Sequence, residues 1–129
     1  MKNLIFCFFA FFLLFIAGCV SPAEELPLLG KTYKFSDSKG HVATVTFNRD
    51  NTMNGFSGVN RFFGEFRTAS DMIAFANMGS TKMAGHPEAM KFEDKFIKIL
   101  SKTNRFYEIG RNLTLFNGDM PLATLKLTE

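Results

Sequence analysis

Short connections between strand-like segments constrain this chain more than any other feature of its sequence. Between residues 31 and 76, runs of alternating polar and apolar residues are separated by turn-forming residues at 37–40, 49–51 and 69–71. Parallel strands need crossover connections of about a dozen residues, which these turns are too short to provide. The sequence therefore predicts an antiparallel meander, with strands at 31–36, 42–48, 52–54, 64–68 and 72–76.

One amphipathic helix and a set of closing strands complete the predicted domain. Pro87 suits the first turn of a helix, and apolar residues recur at spacings of three and four from residue 88 to residue 102. The solvated side of this helix is assigned to charged residues: Lys91, Glu93, Asp94, Lys95, Lys98 and Lys102. Residues 76–87 are interpreted as an irregular connection, and the closing strands are predicted at 105–109, 113–116 and 122–127.

The predicted fold class follows from these elements. It is α+β, a β-rich single domain of antiparallel strands in a partly closed, barrel-like sheet, with one main amphipathic helix.

The amino-terminal segment predicts export. Residues 4–18 form an uninterrupted apolar run after a short basic start, and this run is shorter than the roughly 20 residues that a spanning helix needs. We therefore predict a signal peptide over residues 1–18. The tetrapeptide Ile16-Ala17-Gly18-Cys19 resembles the lipobox of bacterial lipoproteins, in which the cysteine receives a diacylglyceryl group before cleavage. An ordinary signal peptide with a chance cysteine is the alternative.

Lipidation at Cys19 would hold the protein at a membrane without spanning it. Each buried methylene contributes roughly 0.8 kcal/mol to partitioning, so two or three acyl chains such as palmitate give stable anchoring. Residues 19–27 are then a lipidated tether, and residues 28–129 are the folded domain. By resemblance to lipoproteins generally, the absence of aspartate at Val20 favours the outer membrane, facing the periplasm, if the host is Gram-negative.

The composition left after cleavage excludes several classes of function. It has 14 basic residues against 12 acidic ones, and this net charge of +2 is too small to indicate nucleic-acid binding. Cys7 leaves with the signal peptide and Cys19 carries the lipid, so no thiol is left for a disulfide, a nucleophile or a metal site. His41 and His86 adjoin no serine motif or metal-ligand spacing, and scattered methionines fit core packing better than a copper site. We therefore predict a monomer without metal, cofactor or enzymatic activity.

The segment GFSGVNRFFGEF at 55–66 is the most unusual internal stretch. A phosphate-binding loop needs glycines that open a helix, whereas these glycines are followed by more strand pattern and no GK[ST] signature. They are interpreted as turns and close bends of the sheet.

Together with GSTKMAG at 79–85 and a helix with a glutamate near its start, this segment resembles the META/HslJ domain. The stretches LLGKTYKF at 28–35, VTFNRDNTMNG at 45–55 and NLTLFN at 112–117 extend the resemblance over nearly the whole mature chain. The family pattern usually has cysteines where this chain has Val59 and Gly85, which implies that these two positions lie near each other in the fold.

The resemblance implies a setting rather than a reaction. Its members are secreted or lipid-anchored bacterial proteins linked to envelope stress and drug tolerance, without an established catalytic activity. We expect a non-enzymatic, lipid-anchored envelope protein that acts in stress response or drug tolerance through binding. The alternatives are a periplasmic inhibitor-like module that docks on a secreted enzyme or another protein partner, and a hydrolase with an unrecognised site.

The candidate binding residues are members of the two motifs: Asn60, Arg61, Phe62, Phe63, Thr81 and Lys82. Asn60 and Thr81 equally suit hydrogen bonds to the backbone of turns. Arg61 and Lys82 suit either solvent or a small anionic ligand, such as lipid A phosphate or a carboxylate. Adjacent phenylalanines in a strand face opposite sides, so one of Phe62 and Phe63 is expected to be exposed.

Overall fold

Eight strands and one helix make up the part of the chain that the structure, a computed structural model, describes, which is residues 28–128. In chain order they are β1 (Lys31–Ser36), β2 (Val42–Phe47), β3 (Thr52–Phe56), β4 (Arg61–Ala69), β5 (Met72–Ser80), α1 (Pro87–Lys102), β6 (Arg105–Ile109), β7 (Asn112–Asn117) and β8 (Met120–Leu127). The predicted α+β class, β-rich with one main helix, is confirmed.

The strands form a closed antiparallel barrel in which each strand lies beside the next one in sequence. β1 and β8 close the ring through the pairs Tyr33 with Leu127 and Lys34 with Lys126. The junction between β5 and β6 is much weaker, because a single register pair joins Met72 to Arg105. The helix α1 is inserted in sequence at this junction.

Phenylalanine and leucine side chains fill the barrel interior, as the alternating pattern of the strands predicts. The largest fully buried side chains are Tyr33, Val45, Phe47, Met53, Phe62, Phe66, Phe96, Leu100, Leu113, Leu115 and Leu125, together with Leu28 before β1. α1 joins this core through its apolar face, where the ring of Phe35 stacks on Phe92 and on Phe96 with centroids 5.6 Å away in each case. Burying each such side chain contributes roughly 1.5–3 kcal/mol.

β4 and β5 are longer than the sequence predicts. Residues 61–63 and 77–80 were assigned to connections, yet Phe62 pairs with Ser80 and Phe63 with Gly79. The pairing continues because a register shift between Phe63 and Glu65 accommodates one extra residue in β5. Asn77 takes the left-handed conformation there, with φ of 52°. Gly64, Gly79 and Asn77 weaken the alternating strand pattern locally, so the predicted strands are too short.

The predicted signal peptide, the lipidation at Cys19 and the tether over 19–27 lie outside the described residues. Among residues 28–128, no helix has both the length and the apolar character needed to cross a membrane.

Candidate functional site

The loop between β3 and β4 packs tightly against the helix, and the space at its glycine is too small for a side chain. Gly58 has φ of +124°, and a Cβ atom built there would lie 2.9 Å from the ring of Phe92 and 3.4 Å from the carbonyl oxygen of Ala89. Within β3, a Cβ at Gly55 would lie 1.9 Å from the carbonyl oxygen of Thr44. These glycines serve close approach of the chain, in agreement with the interpretation as turns and bends.

Glu93 of α1 extends into this loop and is buried, with only 7% of its surface exposed. Its Oε1 accepts hydrogen bonds from the hydroxyl of Ser57 at 2.5 Å and from the backbone N–H of Asn60 at 2.7 Å, and a longer one from the N–H of Val59 at 3.4 Å. Its Oε2 accepts a bond from the side-chain amide of Asn60 at 2.9 Å. One carboxylate therefore fixes the whole turn.

Asn60 joins this turn to the segment that follows β5. Its Oδ1 accepts hydrogen bonds from the hydroxyl of Thr81 at 2.9 Å and from the N–H of Met83 at 2.6 Å, while its Nδ2 donates to the Met83 carbonyl at 3.1 Å. Both the amide oxygen and the amide nitrogen are thus used. We call Ser57, Asn60, Thr81, Met83 and Glu93 the brace, because together they join the β3–β4 loop, the segment after β5 and α1.

The brace keeps Glu93 ionised. Burial alone would raise the pKa of its carboxyl, since burial penalises the charged form. The hydrogen bonds from Ser57, Asn60 and Val59 act in the opposite direction and prevail, so the pKa of Glu93 lies below its ordinary value. Glu93 is therefore a buried anion at neutral pH.

Val59 and Gly85, the positions where the resemblance implies cysteines, are in contact. A Cβ atom built at Gly85 would lie 3.4 Å from the Cβ of Val59 and less than 3 Å from its two methyl groups. The proximity inferred from their joint departure from the family pattern is therefore confirmed. Here the branched side chain of valine fills the space over the glycine.

A groove of about 730 Å³ opens beside the brace. We call it the α1 groove; its lining residues are Asn60, Ser80, Thr81, Lys82, Met83, Ala84, Met90, Glu93, Asp94, Ile97, Lys98 and Ser101. Met83 is 64% exposed, so its thioether is available to a ligand, and Met90 and Ile97 add apolar surface on the helix side. Lys82 and Lys98 supply positive charge at the rim.

The structure places the predicted candidate residues in different surroundings. Asn60 and Thr81 belong to the brace, and Lys82 is exposed on the wall of the α1 groove. Arg61 is exposed on β4, and its backbone is tied to Thr81 through the Thr81 hydroxyl at 3.2 Å. Phe62 is buried in the core, whereas Phe63 points outward with 57% of its surface exposed. This opposition is the one expected of adjacent residues in a strand.

Phe63 covers another part of the sheet and is outside the α1 groove. A Cβ at Gly79, its cross-strand partner, would lie 2.7 Å from the tip of the Phe63 ring. The ring therefore lies over the glycine.

Glu93 and Ser57 are the site residues that the sequence interpretation missed. The prediction that Glu93 lies on the solvated flank of the helix is wrong, because Glu93 lies on the buried side with Phe96 and Leu100. The spacings of three and seven residues to those two side chains were a usable signal, since residues so spaced share a helix face. For Ser57, the sequence carries no comparable signal.

A second polar cluster lies across α1 from this groove, around a smaller hollow of about 340 Å³. The ring nitrogen Nδ1 of His41 lies 2.8 Å from the Asp37 carboxylate, which lowers the pKa of Asp37, and Lys39 pairs with Glu88 at 3.6 Å. These groups mainly satisfy one another. Over residues 28–128 there is no group of three histidine, cysteine, aspartate or glutamate side chains placed to hold a metal ion.

A third polar cluster lies at the barrel interior. The hydroxyl of Tyr33 donates a hydrogen bond of 2.7 Å to Oε1 of Glu108, and the same oxygen pairs with the Lys31 ammonium at 3.1 Å. Burial, with this carboxylate beside it, raises the pKa of Tyr33 well above its ordinary range. The other carboxylate oxygen of Glu108 is buried and has no hydrogen-bond partner among the described residues.

Comparison with known proteins places this architecture in a family. The family model described as the META domain matches residues 27–129. The chain belongs to the META domain family. Among solved structures, the NMR structure of a protein from Burkholderia xenovorans matches this META domain with a TM-score of 0.65 and 19% identity, over 85% of this chain and 93% of that one. A second protein solved by NMR matches with a TM-score of 0.54 and 18% identity, over 75% and 88% of the two chains.

These two structures support the fold of the META domain alone, since both are less than 20% identical to it. No curated protein matches the chain. What the META domain does must therefore be argued from its own residues.

Proposed function

We propose that this META domain protein is a non-enzymatic, lipid-anchored protein of the bacterial cell envelope, which binds a ligand carrying an anionic group in the α1 groove. The observation that carries the proposal is the groove itself, whose wall is held by the brace and whose rim carries Lys82 and Lys98. Through this binding it would act in envelope stress response or drug tolerance, the setting that the family resemblance implies.

The brace supports binding because it organises the groove in advance. The side-chain amide of Asn60 holds the backbone of Met83 in place through two hydrogen bonds, so this wall need not be ordered when a ligand enters. Ordering a loop and its side chains on binding costs roughly 0.5–1.5 kcal/mol per immobilised side chain. A wall that is fixed before binding avoids much of that cost.

The lining favours a ligand with an anionic head and an apolar body. Two ammonium groups at the rim attract a phosphate or a carboxylate, while Met83, Met90 and Ile97 offer apolar surface between them. Glu93 is saturated with hydrogen bonds and so supplies little free negative charge to oppose the ligand. Asp94 is the other carboxylate that lines the groove.

The membrane anchor is proposed from the apolar run of residues 4–18 and the lipobox-like tetrapeptide that ends at Cys19. To test it, the chain and its Cys19→Ala variant are expressed in a Gram-negative cell, fractionated and weighed by intact mass spectrometry. We expect the parent chain to pellet with membranes and to carry a diacylglyceryl cysteine, and the variant to carry none. A parent chain that is soluble and free of lipid would refute the anchor.

Binding in the α1 groove can be tested with hexyl phosphate, a water-soluble probe that has an anionic head and a short apolar tail. The protein is the full chain in detergent micelles, labelled with ¹³C at its methionine methyl groups. We expect the signals of Met83 and Met90 to shift with saturation, while those of Met72 and Met120, which are exposed elsewhere, stay in place.

Matched lysine variants complete this test. Lys98→Glu should weaken hexyl phosphate at least tenfold, whereas Lys95→Glu, on the same helix but outside the α1 groove, should change affinity far less. Equal effects of the two variants, or equal shifts of all exposed methionines, would contradict binding in the groove.

A further inference from the structure

Strand β5 is paired along one edge over its whole length and along the other edge almost nowhere. β4 lies beside it from Met72 to Ser80. On the opposite side, the pair of Met72 with Arg105 is followed only by a hydrogen bond from the N–H of Ile73 to the Asn104 carbonyl at 3.1 Å. Beyond Ile73, no strand of residues 28–128 pairs with this edge.

The backbone groups of this edge point towards the open side. In an antiparallel sheet, alternate residues bond to the same neighbouring strand. Because the N–H of Ile73 is directed away from β4, the N–H and carbonyl of Phe75 are directed the same way. At the far end, the N–H of Thr81 donates to the Arg61 carbonyl of β4 at 3.0 Å. The N–H and carbonyl of Ser80, the residue before it, therefore face the open side. Such unpaired groups are a template for an added strand.

The sequence of this edge lacks the protection that edge strands usually have. Residues 74–80 read AFANMGS, without a charged residue or a proline. Proteins normally blunt exposed edges with lysine, proline, bulges or a covering element. Here the strand itself carries an irregularity at Asn77. An edge of this kind is suited to being covered by another chain.

The α1 groove meets this edge at Ser80, the residue of β5 that lines it together with Met90 of α1. The last lining residue of the helix is Ser101, three residues before Asn104, which bonds to Ile73 at the start of the edge. α1 therefore runs beside β5 from one end of the edge to the other. The helix from Met90 to Ser101 covers about 17 Å at 1.5 Å per residue. That length matches about five residues of extended chain.

We propose that the α1 groove receives an extended peptide segment of a partner protein, which adds to β5 as a further antiparallel or parallel strand. The segment alternates apolar residues, which face Met83, Met90 and Ile97, with acidic residues that reach the ammonium groups of Lys82 and Lys98. The proposal rests on the α1 groove being the binding site of the proposed function, and it names the class of ligand. It corresponds to the docking module that the sequence leaves as an alternative.

The test uses the peptide acetyl-(Glu-Val)₄-amide and the full chain, labelled with ¹⁵N, in detergent micelles. Addition of the peptide should shift the amide signals of Phe75 and Ser80 and slow their hydrogen exchange at least tenfold. Two further peptides carry N-methyl groups on all valines or on all glutamates. A strand added at one edge bonds through only one of these two sets of amides. One methylated peptide should therefore bind at least tenfold more weakly, and the other should bind about as well as the parent.

Two variants of the protein sharpen the result. Ser80→Pro removes an N–H on the open side and no bond to β4, so it should weaken the peptide at least tenfold. A second comparison sets Lys98→Glu, in the groove, against Lys95→Glu, outside it. The former should weaken the acidic peptide at least tenfold more than the latter.

The outcomes separate the two proposals. Equal affinity of both methylated peptides, or peptide binding that leaves Phe75 and Ser80 unchanged, would overturn strand addition. If the peptide fails to bind but hexyl phosphate shifts Met83 and Met90, strand addition is wrong and the groove remains a site for small anions. If neither probe binds, both proposals fail.

Discussion

Replacing Glu93 tests whether the brace stabilises this domain to the extent that its contacts imply. In Glu93→Ala, two N–H groups of Asn60 lose their acceptor in a buried place, while the hydroxyl of Ser57 keeps its second acceptor, the carbonyl of Asn60 at 2.9 Å. Leaving a buried donor without an acceptor typically costs about 1–3 kcal/mol, so two such donors cost about 2–6 kcal/mol. That is a large share of the roughly 5–15 kcal/mol that holds a typical domain folded.

Glu93→Gln is the more informative variant because it keeps the size of the side chain. The amide oxygen can still accept the bonds from Ser57 and from the Asn60 backbone, but the amide nitrogen then faces the Asn60 side-chain nitrogen, donor against donor. We expect a loss of about 2–3 kcal/mol at pH 7, since one bond to a charged acceptor is lost and one donor is left unpaired.

The pH dependence gives an independent check on this reasoning. The folded pKa of Glu93 is lowered, so its contribution is complete above the unfolded value of about 4.3 and is lost as pH falls through the folded pKa. Asp37 and Asp50 also have lowered pKa values, through hydrogen bonds from His41 and Thr52, and these remain in the variant. The difference in stability between wild type and Glu93→Gln should therefore shrink on going from pH 7 to pH 3.

Urea unfolding followed by far-ultraviolet circular dichroism measures these free energies, and Asp94→Asn is the matched control. Asp94 is the neighbouring acid and is exposed, so its replacement should change the free energy of unfolding by less than about 0.5 kcal/mol. The reasoning is refuted if Glu93→Gln is no less stable than Asp94→Asn at pH 7, or if its deficit is as large at pH 3 as at pH 7.

Three further predictions concern covalent linkage, glycine conformation and alkaline pH. Val59→Cys with Gly85→Cys should form a disulfide, seen as a loss of two mass units and a rise in Tm that a reductant abolishes, because the two Cβ positions are 3.4 Å apart; a pair that stays reduced in air would contradict the contact. Gly58→Ala should destabilise the fold by well over 1 kcal/mol in urea unfolding, through strain and a clash with α1, whereas Gly110→Ala, with φ of +57° and open space around it, should cost only about 1 kcal/mol. Tyr33 has a folded pKa above its unfolded value of about 10, so it contributes stability below pH 10 that is lost at higher pH. Tyr33→Phe should therefore lose less stability than wild type between pH 8 and pH 11. An equal loss in the two proteins would assign the alkaline sensitivity to other groups.

Much of the fold can be predicted from the sequence because its strands alternate cleanly. Val42–Phe47 shows this, since Ala43, Val45 and Phe47 face the core as their period of two requires. Gly118 likewise lies in the two-residue turn, Gly118-Asp119, that leads from β7 into β8. Such features are local, so they can be recognised in the sequence without knowledge of the rest of the chain.

The site is less predictable because it depends on long-range pairing. The extension of β4 becomes clear only when Phe62 and Phe63 are set against Ser80 and Gly79 across a bulge. The α1 groove likewise depends on distant parts of the chain, since Asn60 and residues 80–84 line it together with α1. Sequence spacing does locate Asn60, Thr81 and Lys82 at the site, but only the tertiary structure shows that a helical carboxylate joins the first two to α1.

The sequence distance across the brace has a consequence for the order of folding. Glu93 lies 33 residues from Asn60 and 36 from Ser57, so their bonds close a long segment of chain and require α1 to be docked already. Contacts that form after the rate-limiting step change the unfolding rate and leave the folding rate nearly unchanged. We expect the brace to be such a contact, so the wall of the groove is completed last during refolding. By the same reasoning the brace opens first during unfolding. The lifetime of the assembled groove is therefore governed by how long the hydrogen bonds to the Glu93 carboxylate persist.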